Sequence, residues 1–338
     1  MSELLKVDTS SLKHTLANLS NLLPKGSQSM PIGIHIRKGV MTIVCMQGCI
    51  YQADVIVDDT DFVADVTILY HDITPLMSKC VNVFFDITST SLIMIGDNFE
   101  AEFVFGYSSV EVQKFNNILF KKIPNTQHLL LGLNRIIRMN LSKQYGKVSP
   151  IHILGDVSIQ KYGNTWVQVR TTGAPIDATI DYEHVKLLMK FMPLEVCTDF
   201  NNTLIFKNNY AILQIPCKRN FDKTLITDLM TDMSNCVTVD IENYIERVKN
   251  IAKLDSKQRC RIVIHDNGLS TSVNYENTNV RVSTGNISTD VLSVVELPIQ
   301  LWLSFLNGLD STRIQILTGG DKICLRTQYV IIVTHALI

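Results

Sequence analysis

The chain has 338 residues, of which 46% are hydrophobic and 19% are charged, and its formal net charge at pH 7 is −1. This length exceeds what one hydrophobic core normally holds, so two or three domains are expected. The near-neutral charge excludes a highly basic nucleic-acid coat and an acidic tail protein, while it leaves DNA binding open.

The first third of the chain predicts two helices separated by a hairpin and followed by three strands. The second helix has Ile73, Leu76 and Met77 at i, i+3 and i+4, which is the spacing of a buried helix face. In chain order the predicted elements are helix 10–23, a hairpin turn at 36–39, helix 71–80, and strands 81–87, 91–96 and 99–105.

The same order of elements returns after a weakly periodic segment, 105–126. Val185, Leu188 and Met189 repeat the apolar spacing 112 residues after Ile73. The predicted elements are helix 133–145, a turn at 159–163, helix 181–192, and strands 194–200, 203–208 and 210–216.

The order occurs a third time after a second linker-like segment, 217–235. Ile299, Trp302 and Leu303 continue the spacing 114 residues after Val185. The predicted elements are helix 241–254, a turn at 264–268, helix 296–309, and strands 313–318, 322–327 and 329–337. Recurrence in one order favours a threefold repeat over the chance alternation that any α+β chain shows. We therefore predict three domains, at residues 1–122, 123–232 and 233–338.

Each predicted hairpin turn contains a glycine, Gly39, Gly163 or Gly268, which is expected because tight turns usually need a positive φ. Strands interrupted by two amphipathic helices predict an open antiparallel sheet with both helices on one face. Joining neighbouring units edge to edge, or closing them into a ring, removes the unpaired sheet edges.

The eight cysteines are scattered through apolar runs, a pattern typical of reduced thiols used as small core residues. Only Cys45 and Cys49 lie close together, and a structural zinc site needs a second ligand pair, so no metal is predicted. The N-terminal segment lacks the apolar core of a signal peptide, and no run of about 18 apolar residues occurs. The sequence therefore predicts an intracellular protein without a membrane span.

The repeat order and two longer stretches resemble the bacterial DNA polymerase processivity clamp, the β sliding clamp or DNA polymerase III beta subunit family. The stretches are "NRIIRMNLSKQYGKVSPIHILGDVSIQ" (134–160) and "DIENYIERVKNIAKLDSKQRCRIVIHDNGLSTSV" (240–273). The resemblance implies an α+β chain of three processivity-fold domains, with antiparallel sheets outside and two helices per domain lining a channel. Two such chains are expected to close head to tail into a ring, as a divergent clamp of either cellular or phage origin.

The distribution of charge agrees with helices that face DNA. The six predicted helical stretches hold 13 of the 31 basic residues and 8 of the 32 acidic ones, which leaves 18 basic and 24 acidic residues elsewhere. Contacts to phosphates position DNA without reading its sequence, as a sliding ring requires. Any one of these cations is also explained as part of a solvated helix face. The resemblance implies that the channel residues are Lys13, Lys79, Arg135, Arg138, Lys143, Lys147, Lys186, Lys190, Arg247, Lys249 and Lys253.

The resemblance also implies a pocket between the second and third domains that binds a short peptide of partner proteins. The segment "TTGAPI" stands where the family has Thr-Asp-Gly-His-Arg-Leu, and the chain ends without the family's Met-Pro-Met-Arg-like tail. Ordinary core packing is the alternative for each apolar position. The expected pocket residues are Thr171, Gly173, Ala174, Pro175, Ile176, Ile226, Leu229, Val333, Thr334, His335 and Ala336.

No catalytic motif is evident, because the chain lacks GxGxxG, GxxxxGK[ST], HExxH and GxSxG. We expect no enzymatic activity and no cofactor. The expected function is that of a cytoplasmic clamp, in a bacterial or phage-infected cell, which encircles duplex DNA independently of sequence. It would tether a replicative DNA polymerase and be loaded by a clamp-loader ATPase. The alternatives are a repeat adaptor that binds proteins through sheet edges without encircling DNA, and a hydrolase with an unrecognised site.

Overall fold

The computed structural model describes residues 4–22, 30–46, 48–58, 63–104, 110–115, 118–139, 141, 149–171, 173–198, 202–219, 226–254, 256–285 and 287–336. The chain forms two compact units, Met1–Ile123 with Lys186–Cys217, and Pro124–Val185 with Lys218–Ile338. Each unit has one eight-stranded and one four-stranded sheet. The α+β fold with antiparallel sheets is confirmed, since the described strands all pair antiparallel.

Seven helices occur in the described residues, and five of them coincide with predicted helices to within three residues. The helices are α1 Thr9–Leu22, α2 Tyr70–Met77, α3 Thr126–Met139, α4 Tyr182–Phe191, α5 Ile226–Leu229, α6 Tyr244–Leu254 and α7 Ile299–Gly308. The short α5 lies in a segment that was interpreted as a linker.

The strands that precede α3 are β1 Leu5–Val7, β2 Pro31–Arg37, β3 Val40–Met46, β4 Ile50–Ile56, β5 Ala64–Leu69, β6 Val83–Ile87, β7 Ser91–Ile95, β8 Glu100–Val104 and β9 Lys121–Lys122. Those that follow are β10 Ile151–Leu154, β11 Val157–Tyr162, β12 Thr165–Arg170, β13 Asp177–Ile180, β14 Glu195–Cys197, β15 Thr203–Lys207 and β16 Ala211–Pro216. The last are β17 Asn235–Asp240, β18 Arg259–His265, β19 Gly268–Tyr275, β20 Thr278–Ser283, β21 Val291–Pro298, β22 Arg313–Gly319, β23 Lys322–Arg326 and β24 Val330–His335.

Both eight-stranded sheets combine strands from two consecutive predicted domains. The first unit has the order β5-β2-β3-β4-β16-β15-β14-β9, and the second has β13-β10-β11-β12-β24-β23-β22-β17. The two joining pairs are β4 with β16 and β12 with β24. The four-stranded sheets are β1-β6-β7-β8 and β20-β19-β18-β21, so β8 and β20 each end a sheet. The limits of the three domains remain a prediction.

The first helix of each predicted repeat packs against the same strand of its own sheet: α1 against β4, α3 against β12 and α6 against β20. Leu12, Leu16 and Leu19 of α1 are buried, as are Leu129 and Leu133 of α3. This shared packing supports the repeat, because equivalent helices cover equivalent strands.

The predicted start of α3 was wrong, while its predicted end at position 145 lies outside the described residues. The helix begins at Thr126, seven residues before the predicted start at position 133, and is described to Met139. The side chain of Asn125 accepts a hydrogen bond from the backbone N–H of His128 at 3.0 Å, which caps the first turn. Asn125 was therefore the start signal that apolar periodicity alone did not show.

The hairpin glycines have two different structural roles. Gly39 and Gly163 adopt φ values of 75° and 52°, as predicted for tight turns. Gly268 is not among the residues with positive φ, and the reason predicted for it was wrong. A Cβ there would lie 2.8 Å from side-chain atoms of Ile287 and Thr284, so glycine is required by close packing.

Within the described residues, no helix combines the length and apolar character needed to cross a membrane. In the same part of the chain, no three His, Cys, Asp or Glu side chains are grouped so as to hold a metal ion.

Candidate DNA-facing helices and candidate partner pocket

Two cations of α3 have different environments although they are only three residues apart. Arg135 lies 2.9 Å from Asp310, with side chains 19% and 14% exposed, and its guanidinium stacks 4.8 Å from the centre of the Tyr329 ring. Arg138 is exposed in the last turn of the helix. Arg135 is thus held within the fold, whereas Arg138 is available to a polyanion.

The predicted cations of the first unit also divide into anchored and exposed side chains. Lys13 is half-buried and donates to the carbonyl oxygen of Cys80, and Lys190 donates to the carbonyl oxygen of Asn21. Lys79 is exposed just after α2. Lys186, on α4, is half-buried and also interacts with other groups.

Helix α6 carries the remaining described cations. Arg247 donates to the carbonyl oxygen of Ser283 at 3.2 Å, and Lys249 pairs with Glu246 one turn earlier. Lys253 is exposed in the last turn, near the negative end of the helix dipole. Lys143 and Lys147 lie outside the described residues.

The segment from Thr171 to Ile176 is fixed to the turn between β10 and β11. The backbone N–H of Thr171 bonds to the carbonyl oxygen of Asp156 at 2.7 Å, and the N–H of Gly173 bonds to the Asp156 carboxylate at 2.6 Å. Gly173 has a φ of 65°, Ala174 and Ile176 are buried, and Pro175 is half-buried. These five predicted residues therefore share one rigid turn.

A second group of predicted residues forms an apolar cluster. Ile226 of α5 packs with Val333 of β24, both fully buried, and Leu229 lies against them. The other members of this cluster, which the sequence analysis missed, are Trp166, Met230, Met233, Leu317, Cys324 and Ile331. Burial raises the pKa of Cys324 to about 12, so its thiol stays protonated and packs as an apolar group.

Residues at the end of β24 are fixed to neighbouring turns by polar contacts. Thr334 shares a 2.7 Å hydrogen bond with Thr165, and His335 contacts Asp321 at 2.7 Å. The hydrogen bond from His335 is the main reason that the pKa of Asp321 is below its ordinary value. The backbone N–H of Ala336 also bonds to the carbonyl oxygen of Asp321 at 2.7 Å. The structure thus brings together Ile226, Leu229 and Val333 in the cluster, and it anchors the last three residues beside it.

Comparison with known proteins rests on three-dimensional structure, since no protein-family profile and no curated protein sequence matches the chain. The Helicobacter pylori beta clamp in complex with 5-chloroisatin matches with a TM-score of 0.81 at 10% identity, over 99% of this chain and 100% of the clamp. The Caulobacter crescentus DNA polymerase sliding clamp matches with a TM-score of 0.79 at 10% identity, over 100% of both chains. The H. pylori clamp bound to a DNA ligase peptide matches with a TM-score of 0.77 at 11% identity, over 99% and 100%. Over its whole length, this chain therefore has the fold of the bacterial β sliding clamps.

Proposed function

We propose that the chain is a DNA sliding clamp, a cytoplasmic and non-enzymatic homodimer that encircles duplex DNA and tethers a replicative DNA polymerase. The observation that carries the proposal is the agreement in fold with bacterial clamps over the full chain. In such a ring the exposed cations of the helices, Lys79, Arg138 and Lys253 among them, meet the phosphates. Contacts of this kind are independent of sequence and allow the ring to slide.

We infer that the ring closes by pairing between β8 and β20, the two strands that each end a four-stranded sheet. Within the chain, β4 pairs with β16 and β12 pairs with β24, so the fourth strand of one eight-strand repeat joins the last strand of the next. By repeat order, β20 corresponds to β4 and β12, and β8 corresponds to β16 and β24. We therefore expect β20 of one protomer to pair with β8 of its partner, which leaves a head-to-tail ring without these open edges.

If the β20–β8 junction has the register of either junction within the chain, a carboxylate of β8 lies opposite Arg281 of β20. The first junction pairs Ile212 with Gln52, and its register puts Glu100 opposite Arg281. In the second, Trp166 is the residue that corresponds to Arg281, and it pairs with Val333; this register puts Glu102 opposite Arg281. Opposite charges directly across an antiparallel pair stabilise it, whereas like charges destabilise it.

The test is a charge reversal at this edge, measured by light scattering of the full chain. The wild-type protein should have twice the 38.1 kDa mass of one chain. Arg281→Glu should shift the monomer–dimer equilibrium to monomers, because its carboxylate would face a carboxylate of β8 at both interfaces of the ring. Adding Glu100→Arg and Glu102→Arg should restore the dimer, and Lys121→Glu on the exposed strand β9 is the control. A wild-type chain that is monomeric at micromolar concentration, with and without circular DNA, would favour the repeat adaptor instead.

We further propose that partner proteins, the polymerase and a clamp-loader ATPase among them, bind through a short peptide at the apolar cluster. The half-buried side chains of Trp166, Leu229 and Ile331, which pack over the fully buried Ile226 and Val333, provide its floor. We assign the turn at Gly173 to Ile176 as its wall. The clamp bound to a DNA ligase peptide supports this mode of binding. Leu229→Asp should abolish peptide binding while the chain stays folded and dimeric, because Leu229 is only half-buried. Unchanged peptide binding by this variant would contradict the proposed site.

A further inference from the structure

A cavity of about 660 Å³ lies in the second unit, beside the apolar cluster proposed for the peptide site, with which it shares only Ile331. It is built on one row of side chains that crosses five strands. Gln168 of β12 faces Ile331 of β24, Ile331 faces Arg326 of β23, Arg326 faces Gln315 of β22, and Gln315 faces Thr238 of β17. Directly paired residues of antiparallel strands point to the same side of a sheet. These five side chains therefore lie on one face of the sheet, and all of them except Ile331 are polar.

The charge of this surface is almost entirely positive. Arg170, Arg313 and Arg326 all line the cavity and are exposed, while Asp156 is its only lining carboxylate. The Asp156 carboxylate already accepts the N–H of Gly173 at 2.6 Å. Considering only the part of the chain that the structure describes, none of the three arginines has an acidic partner within 4.0 Å. Three like charges around one concavity repel each other and attract an anion.

We propose that this cavity binds carboxylate side chains of an acidic protein segment. Guanidinium groups bind carboxylates with two parallel hydrogen bonds, and the glutamines offer further donors. The curvature argues against duplex DNA, since a cavity of this size accommodates a few side chains and the phosphates of a duplex lie on a wide convex surface.

Ile331 belongs to both the cavity wall and the apolar cluster. We therefore infer that the acidic segment is part of the same peptide that binds at the cluster. A peptide with apolar residues on the cluster would pass Ile331 and place its neighbouring acidic residues against Arg326 and Arg313. The inference thus rests on the proposed peptide site, and it adds that partners carry carboxylates next to their apolar anchor.

The experiment compares two short synthetic peptides, each with a Leu-Leu pair, that differ only in having three glutamates or three glutamines beside it. Fluorescence anisotropy with the full chain should show the glutamate peptide binding about fivefold tighter or more. This preference should shrink as salt is raised to about 0.5 M, because exposed ion pairs are screened. The double variant Arg313→Gln, Arg326→Gln should remove the preference while binding the glutamine peptide as the wild type does. Arg259→Gln, an exposed arginine of the same unit, should leave the preference intact.

Equal binding of the two peptides, or a preference that survives in the double variant, would overturn the inference. So would a short duplex or single-stranded oligonucleotide that binds more tightly than the glutamate peptide and is released by the double variant. Binding of the glutamine peptide measures the apolar site alone, and retention on circular DNA tests whether the chain is a clamp. Failure of the acidic-segment proposal can therefore be distinguished from failure of the peptide site or of the clamp function.

Discussion

Replacing Arg135 with glutamine should destabilise the fold, although its position on α3 first indicated a contact with DNA. The guanidinium is paired with Asp310 at 2.9 Å and stacks on Tyr329. The Asp310 carboxylate also accepts a 2.8 Å hydrogen bond from the hydroxyl of Thr327. Without Arg135 the carboxylate keeps that bond but loses its countercharge.

The expected cost lies between those of a surface pair and a buried pair. Exposed pairs contribute about 0–1 kcal/mol, and breaking a buried one costs about 3–5 kcal/mol. With side chains 19% and 14% exposed, the pair is mostly but not fully buried. Together with about 0.5–1 kcal/mol for the cation–π contact, we expect a loss of about 2–3 kcal/mol in the free energy of unfolding.

Urea unfolding and low-salt affinity for a short linear duplex, measured on Arg135→Gln and Arg138→Gln, separate the two roles. Arg135→Gln should lower the midpoint of unfolding, and adding Asp310→Asn should recover part of the loss because the orphaned charge is removed. Arg138→Gln should leave stability within about 0.5 kcal/mol, as for other exposed positions, and weaken low-salt binding to a short linear duplex, which depends on charge. A stability of Arg135→Gln equal to that of the wild type would refute the assignment of this arginine to the fold.

Two further predictions concern packing and pH. Gly132→Ala should lower the midpoint of thermal unfolding, because the new Cβ would lie 2.8 Å from the carbonyl oxygen of Arg170. This clash should outweigh the gain of about 1 kcal/mol in helix propensity. An unchanged or higher midpoint would show that α3 can shift to accommodate the methyl group. Partial burial of Asp65 disfavours its ionised form, but hydrogen bonds from His35 and Arg37 outweigh this and hold the pKa of Asp65 below its ordinary 3.8. A carboxyl with a lowered pKa adds stability above its unfolded pKa and loses it as pH falls through the folded pKa, so Asp65→Asn should flatten the loss of stability below about pH 4. Equal acid unfolding of variant and wild type would contradict this.

The sequence predicted the order of elements because apolar periodicity survives where residue identity does not. Ile73 and Met77 of α2 are buried, as are Val185 and Leu188 of α4, as their spacing indicated. The start of α3 escaped the same reasoning, since its signal is the cap at Asn125 and not a periodicity. Gly268 was placed in the right turn for the wrong reason, because close packing by Ile287 depends on residues far along the chain.

The candidate sites were less accessible to sequence reasoning than the fold. Val333 and Ile226 were expected together from the family resemblance, and they do pack in one cluster. Trp166 and Cys324 were missed because their membership depends on the pairing of β12 with β24 and of β23 with β24. The ion pair of Arg135 likewise depends on an acid, Asp310, in a different predicted repeat. Contacts between repeats leave no periodic trace in the sequence.

Retention on circular and linearised DNA tests the central claim most directly. Protein loaded by a clamp-loader ATPase onto a nicked circle should stay bound during gel filtration at high salt, because a ring is held by topology and not by charge. Cutting the same circle once should release it, as the ring slides off the open ends. Equal retention on the circle and the linear product, or release of both by salt, would contradict a clamp that encircles DNA.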